Sequence, residues 1–180
     1  MPSFSAGSAR SADHGAVRFT ISNAHERALV DPAAHVDALL SRLGTPDDRL
    51  WPSEVWLSAR LDASPDAGGA GGHGRVRYHC SERAPGMVTF TFDEVNGSRR
   101  WNGRHRFTLL SNRTGCTLRH VVELRLPLRE ALQWQVLIRP LHDAILEDLL
   151  DKAAGRPPSR AWSAWVRTLR RVVPSVCART

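Results

Sequence analysis

The stretch Leu128–Ala153, LREALQWQVLIRPLHDAILEDLLDKA, decides how the rest of the chain is read. Trp134, Ile138, Leu141, Ile145 and Leu149 recur at helical spacing, and Arg139, Asp143, Glu147 and Asp151 form a second line four residues apart on another side. The pattern predicts one long amphipathic helix. Pro140 has no backbone N–H and its ring crowds the preceding turn, so a bend near the middle is expected rather than a break. At about 100° per residue, His142 falls inside the apolar stripe and aims an imidazole at whatever the helix covers.

A helix this amphipathic needs a partner surface, and the 180-residue chain is long enough for one domain with appendages. The net charge of +7 at first suggests nucleic acid. Every Asp and Glu, however, lies at or before Asp151, leaving residues 1–152 nearly neutral and the excess in Arg156, Arg160, Arg167, Arg170, Arg171 and Arg179. Charge confined to a tail does not cover a groove-sized surface, so no nucleic-acid partner is expected. Lys152 stands alone among 24 arginines, a bias that points to a GC-rich coding sequence. There is neither a membrane-span-length apolar run nor a signal-peptide pattern, so a cytoplasmic location is expected, peripheral to a membrane if the tail binds one. Cys80, Cys116 and Cys177 are odd in number and widely spaced, which supports neither a disulfide framework nor a zinc motif.

Residues 1–15, rich in Ser, Ala and Gly, are expected to be a disordered leader; 16–155 form the domain; 156–180 are the tail. Val17, Phe19 and Ile21 open a first strand, with a bulge expected near Asn23 where a polar interval begins. Asp31 is placed as the cap of a helix with Pro32 at its first position, Ala33, Val36, Leu39, Leu40 and Leu43 on its buried face, and Gly44 as its stop. A short helical turn is expected over residues 45–51. Five strands follow: around Leu57, Ala59 and Leu61; Val76, Tyr78 and Cys80; Val88, Phe90 and Phe92; Arg104–Leu110; and Leu118–Leu126. The loop ASPDAGGAGGHG is too glycine-rich to hold a fixed shape alone and is expected to be a flexible flap. If Asn112 and Gly115 flank a two-residue turn, Leu109 pairs with Leu118, Phe107 with His120 and His105 with Val122, which puts both histidines on the apolar face. A one-sided antiparallel sheet must bury that face, and only the helix over 128–153 is long enough to cover it. The expected fold class is α+β, a curved antiparallel sheet gripping a long C-terminal helix.

In this order of elements, and in DPAAHV at Asp31–Val36, RLWP at Arg49–Pro52, GGHGRVRY at Gly71–Tyr78, PG at Pro85–Gly86, LRH at Leu118–His120 and IRPLHDAILEDLLD at Ile138–Asp151, the chain resembles the START-like or SRPBCC superfamily of polyketide cyclases and lipid carriers. The resemblance covers about Val17 to Ala153 and looks like an uncharacterised bacterial branch. It implies a hollow between sheet and helix that holds a hydrophobic small molecule or lipid. It supplies no catalytic motif to carry over.

The ligand-facing set expected from alternation is Leu57, Ala59, Tyr78, Cys80, Phe90, Phe92, His105, Phe107, His120, Val122, Trp134, Ile138, Leu141 and His142. Four polar tips aimed into one apolar space, Tyr78, His105, His120 and His142, need partners, either the polar end of a guest or backbone and buried water. An enzyme using His105 or His120 as base and Tyr78 to stabilise an enolate, as in cyclase chemistry, ranks second to binding, because nothing pairs a nucleophile with its base. A partner-binding module with a vestigial cavity ranks third. His105, His120 and His142 could ligate a metal, but no spacing favours it and no carboxylate is clearly inward, so no metal and no cofactor is expected. Trp51 and Trp56 read as core aromatics. In the tail, Ser159 is placed as the cap of a basic amphipathic helix with Trp162, Trp165, Val166, Leu169 and Val173 on one face and Arg160, Arg167, Arg170 and Arg171 on the other. That helix either docks on its own domain or a second subunit, or lies on an anionic membrane surface.

Overall fold

The structure is a computed structural model that describes residues 17–173; the leader up to residue 16 and the tail from 174 on, with Cys177 and Arg179, lie outside the described residues. Seven antiparallel strands form one sheet in the order β1-β7-β6-β5-β4-β3-β2, with β1 Arg18–Leu29, β2 Arg60–Leu61, β3 Ala70–His73, β4 Val76–Ala84, β5 Met87–Val95, β6 Asn102–Asn112 and β7 Gly115–Pro127. Helix α1, Ala33–Leu40, follows β1. The C-terminal helix runs unbroken as α2, Leu128–Gln133, a π-helical segment Trp134–Ile138, and α3, Arg139–Ala153. A last helix, α4, spans Ala164–Val172. This is the α+β helix grip that the sequence pattern predicts.

The β6–β7 hairpin has the expected register, with Leu109 opposite Leu118, Phe107 opposite His120 and His105 opposite Val122. The β4–β5 pairing slips between Arg77 and Tyr78 and again between Cys80 and Glu82, irregularities of the kind that bend a sheet. No bulge occurs in β1, which pairs with β7 in one unbroken register from Arg18 to Leu29. Its polar interval continues the strand because Asn23, His25 and Arg27 face the acidic line of α3. Asn23 Nδ2 donates to Asp143 Oδ1 at 3.1 Å, and the two ring nitrogens of His25 donate to Asp143 Oδ1 at 3.0 Å and Glu147 Oε1 at 2.9 Å. The Arg27 guanidinium spans Glu147 at 2.7 Å and Asp151 at 2.8 Å. That line is therefore a clamp on the edge strand.

Other expectations are corrected by local chemistry. Asp31 makes no cap; Pro32 holds the N-cap position of α1 and its carbonyl accepts from His35 and Val36. Residues 45–51 form turns instead of a helical segment, organised by Asp48, whose carboxylate accepts from the backbone of Gly44, Leu50 and Trp51. The strand expected around Leu57 and Ala59 shrinks to Arg60–Leu61, leaving Leu57 half-buried outside it. The glycine-rich loop is ordered as β3, paired to β2 and β4. A Cβ on Gly71 would lie 2.0 Å from Arg60 O, and one on Gly72 1.9 Å from Val76 O, so glycine there permits two backbones to approach.

Pro140 acts through the π-helical segment. Lacking an N–H, it leaves the Val136 carbonyl without its usual donor, and the Trp165 indole of α4 donates there at 2.8 Å. The tail thus docks on its own domain. Ser163, not Ser159, caps α4, accepting from Val166 N at 3.2 Å, and Val166 and Leu169 are buried. Arg170 turns inward, stacking on the Trp56 and Trp162 rings at 4.2 and 3.8 Å and donating to Val55 O. Both indoles donate to the buried Asp148, at 2.8 and 2.9 Å, and Arg160 N adds a third bond. Asp148→Leu would strand the two indole donors in a closed space, a loss of about 3 kcal/mol or more. Urea denaturation checks this; a midpoint unchanged from wild type would mean that Asp148 does not hold the tail.

Candidate functional site

Between the concave face of the sheet and the C-terminal helix lies a cavity of about 150 Å³. Alternation carries Tyr78 on β4, Phe92 on β5, His105 and Phe107 on β6 and His120 on β7 to its floor, and the helix closes it with Trp134, Leu137, Ile138, Leu141, His142 and Ile145. The π-helical segment supplies three of these, Trp134, Leu137 and Ile138. Trp51 and His73 close the end toward β3, their rings 4.8 Å apart. Trp101, Val95 and Val76 line the wall toward the β5–β6 connection.

Of the residues expected to face a ligand, Tyr78, Phe92, His105, Phe107, His120, Trp134, Ile138, Leu141 and His142 border the cavity. Cys80, Phe90 and Ala59 are buried elsewhere in the core, Val122 belongs to a second apolar cluster with Trp101 and Trp134, and none of these four borders the cavity. The gripping face is longer than the hollow, so beyond Tyr78 the sheet packs directly on helices. Phe90 contributes at one remove, stacking on His105 with centroids 5.1 Å apart. Trp51, expected to be a core aromatic, also borders the hollow, and His73, expected in a flexible flap, is held by Trp51 and Tyr78. Trp101 was missed because it follows two arginines and sits outside any alternating run.

The polar groups form a chain of rings. Tyr78 meets His105 at 5.0 Å, His105 meets His120 at 5.4 Å, His120 meets His142 at 5.2 Å, and His142 meets Trp134 at 5.5 Å. His105 Nδ1 and His120 Nε2 share a hydrogen bond of 3.2 Å, while His105 Nε2, His120 Nδ1, Trp101 Nε1 and Trp134 Nε1 are buried without a partner among the described residues. Burial depresses the histidines: His105 to about 3, His73 to about 4, and His120 and His142 below the ordinary value. Burial also pushes the Tyr78 hydroxyl up. Every titratable group on the floor is thus neutral at pH 7. His25 differs: its hydrogen bond to Asp143 raises it, with Glu147 adding, against an opposing burial effect.

Among the described residues one group could hold an ion. His25, His142 and Asp143 place ligand atoms within 4.8 Å of one another, a different set from the three-histidine site weighed above, although both His25 nitrogens already serve carboxylates.

No family model matches the chain, and no curated protein matches it. Solved structures do. A solution structure of a protein from Thermobifida fusca superposes with a TM-score of 0.54 at 17% identity, covering 75% of this chain and 90% of that one. CalU16 from Micromonospora echinospora superposes with a TM-score of 0.51 at 13% identity, covering 86% and 83%. An AHSA1-like protein from Rhizobium etli is also similar, with a TM-score of 0.48, 21% identity and coverage of 78% and 86%. The first two share the architecture, and the resemblance read from the sequence holds at that level: this is a helix-grip fold, an antiparallel sheet around a long C-terminal helix.

The opposed pKa shifts predict a stability maximum above pH 6.5, between the unfolded histidine pKa and the raised folded value of His25. The raised His25 stabilises the fold below its unfolded pKa of about 6.5, and that contribution is lost as pH rises through its folded value. The lowered His73 and His105 act below 6.5, where the unfolded chain takes up protons that the fold refuses, at a cost of about 1–2 kcal/mol each by pH 5. Chemical denaturation across pH 4.5–8.5 checks both limbs. His105→Phe should flatten only the acidic one; a monotonic profile would contradict the assignment.

Proposed function

We propose that the chain binds an apolar small molecule in the hollow between sheet and C-terminal helix. The observation that carries this is an internal space bounded mainly by aromatic and aliphatic side chains, with three histidines among its lining residues from sheet and helix, His105, His120 and His142. A dry apolar cavity of about 150 Å³ takes a single benzene-sized ring, which favours a compact guest over a long-chain lipid. The cyclase reading is weaker, because a general base works best near the operating pH, and His105, at about 3, is a hydrogen-bonding group rather than a proton acceptor. Toluene binding to the full chain, followed by calorimetry and thermal shift, tests the proposal. Wild type should bind one equivalent, and Ile138→Trp, which fills the hollow, should remain folded and lose binding at least tenfold. No heat and no shift with wild type would contradict it.

The surface beside the cavity supports a second reading, concerning how a guest arrives. Leu128, Leu132, Val136, Leu137, Trp165 and Val172 are exposed on α2, the π-helical segment and α4, and Leu137 and Val173 also border the cavity. Arg129, Arg167 and Arg171 are exposed along the same elements and Arg139 at the start of α3, whereas Glu130, the one acidic residue of α2, is buried. We infer that this face meets an anionic bilayer, an apolar phase from which a guest passes without crossing water. Among the described residues no helix is long and apolar enough to cross a membrane. Of the tail residues assigned to such contact, Trp162 and Arg170 are turned inward, and Trp165, Arg167 and Arg171 remain available. Cosedimentation with phosphatidylglycerol/phosphatidylcholine vesicles should fall severalfold with Leu132→Asp and leave toluene binding unchanged. Wild type staying in the supernatant would rule the surface out.

A further inference from the structure

Where β1 meets α3, three side chains converge on one carboxylate oxygen. Asp143 Oδ1 lies 3.0 Å from His25 Nε2, 3.1 Å from Asn23 Nδ2 and 3.5 Å from His142 Nδ1. The last contact is too long for a good hydrogen bond, and His142 Nδ1 is buried with no such partner among the described residues, as is Asn23 Oδ1. A clamp on the edge strand accounts for the His25 and Asn23 donors. It does not account for a second imidazole nitrogen brought to the same oxygen and left unbonded, since a buried polar atom without a partner is destabilising.

We propose that His25 Nε2, His142 Nδ1 and Asp143 Oδ1 bind a divalent first-row transition ion, zinc foremost, which staples the edge strand to the C-terminal helix. The three residues offer ligand atoms that all lie within 4.8 Å of one another. Zinc bonds of about 2.0–2.1 Å to nitrogen and oxygen set tetrahedral ligand atoms about 3.4 Å apart. The two separations to Asp143 Oδ1, 3.0 and 3.5 Å, bracket that spacing. Two imidazoles and a carboxylate suit zinc, nickel or iron, whereas magnesium and calcium take oxygen ligands. A half-turn of the Asn23 amide puts its oxygen where Nδ2 now sits, which adds a fourth ligand.

The surroundings fit such an ion. A ligating histidine ordinarily donates its other ring N–H to a carboxylate or carbonyl, and His25 Nδ1 lies 2.9 Å from Glu147 Oε1. The bond that His25 Nε2 makes to Asp143 is no obstacle, because the ion takes the place of the shared proton, which leaves to solvent. The Asp143 side chain is 34% exposed, so an ion reaches it from outside without entering the hollow. Of the neighbouring cations, Arg27 is paired with Glu147 and Asp151, and Arg139, with Nε 3.5 Å from Asp143 Oδ2, is half exposed and screened by water. Ion binding here requires no guest in the hollow, so the two readings stand or fall separately.

Calorimetric titration of the EDTA-stripped full chain at pH 7 with zinc chloride, and in parallel with magnesium chloride, tests this. One equivalent of zinc should bind at least a hundredfold more tightly than magnesium. Asp143→Asn and His142→Phe should each weaken zinc at least tenfold, and His79→Gln, which breaks a surface pair with Asp93, should leave it within twofold. Should a variant fail to fold, imidazole 15N spectra of wild type give the answer: zinc should shift His25 Nε2 and His142 Nδ1 far more than the His105 and His120 nitrogens. No zinc binding by wild type would overturn the site. Zinc binding that survives either Asp143→Asn or His142→Phe, or that is lost in His79→Gln, would overturn it as well, by placing the ion elsewhere.

Discussion

The structure depends on how one helix divides its surface. Along α3, Asp143, Glu147 and Asp151 are held by Asn23, His25 and Arg27 of the edge strand, Leu141, Ile145 and Leu149 turn toward the sheet, and Asp148 receives the indoles of Trp56 and Trp162, which lie far apart in the chain. Each contact fixes the rotation of the same cylinder. Individually, partly exposed ion pairs contribute little, and a network gains mainly in geometric specificity. Its consequence here is positional: with Asp143 clamped to β1, the adjacent His142 faces the hollow and cannot follow its neighbour outward.

The hollow arises because the helix is held at its flanks rather than by collapse onto the floor. Two apolar clusters lie around it, one joining α1, α3 and the far end of the sheet, the other joining Trp101, Val122, Leu124, Leu126 and Trp134. Imidazole rings occupy the ground between them. A buried imidazole without a full set of partners destabilises a fold, and the low pKa values of His105 and His73 express that cost in proton affinity. Phenylalanine at those positions would pack more favourably in an ordinary core.

Much of this was legible in the sequence. Strict alternation through β4 to β7 placed the floor residues, and the Asn112–Gly115 turn set the β6–β7 register, because a side-chain period of two leaves only one parity that buries His105 and His120 together. What failed depended on residues far apart in the chain. Asn23, His25 and Arg27 looked like a polar interruption, since their carboxylate partners lie more than 110 positions away. The glycines of β3 suggested flexibility, while the neighbouring strands that require them do not show in local composition. Arg170 looked like part of a solvated basic face until Trp56 and Trp162 closed around its guanidinium. In the cavity itself, Trp51, His73 and Trp101 sit in connections, where periodicity assigns no side to a residue.

Room remains beneath the helix, bounded by aromatic, aliphatic and imidazole side chains. A crystal structure under xenon pressure tests that most directly, since xenon enters empty apolar cavities and is visible in diffraction. The account predicts a xenon atom among Phe107, Ile138, Leu141 and the His105–His120 pair. A floor packed against the helix with no xenon between them, and with His105 and His120 turned to solvent, would contradict it.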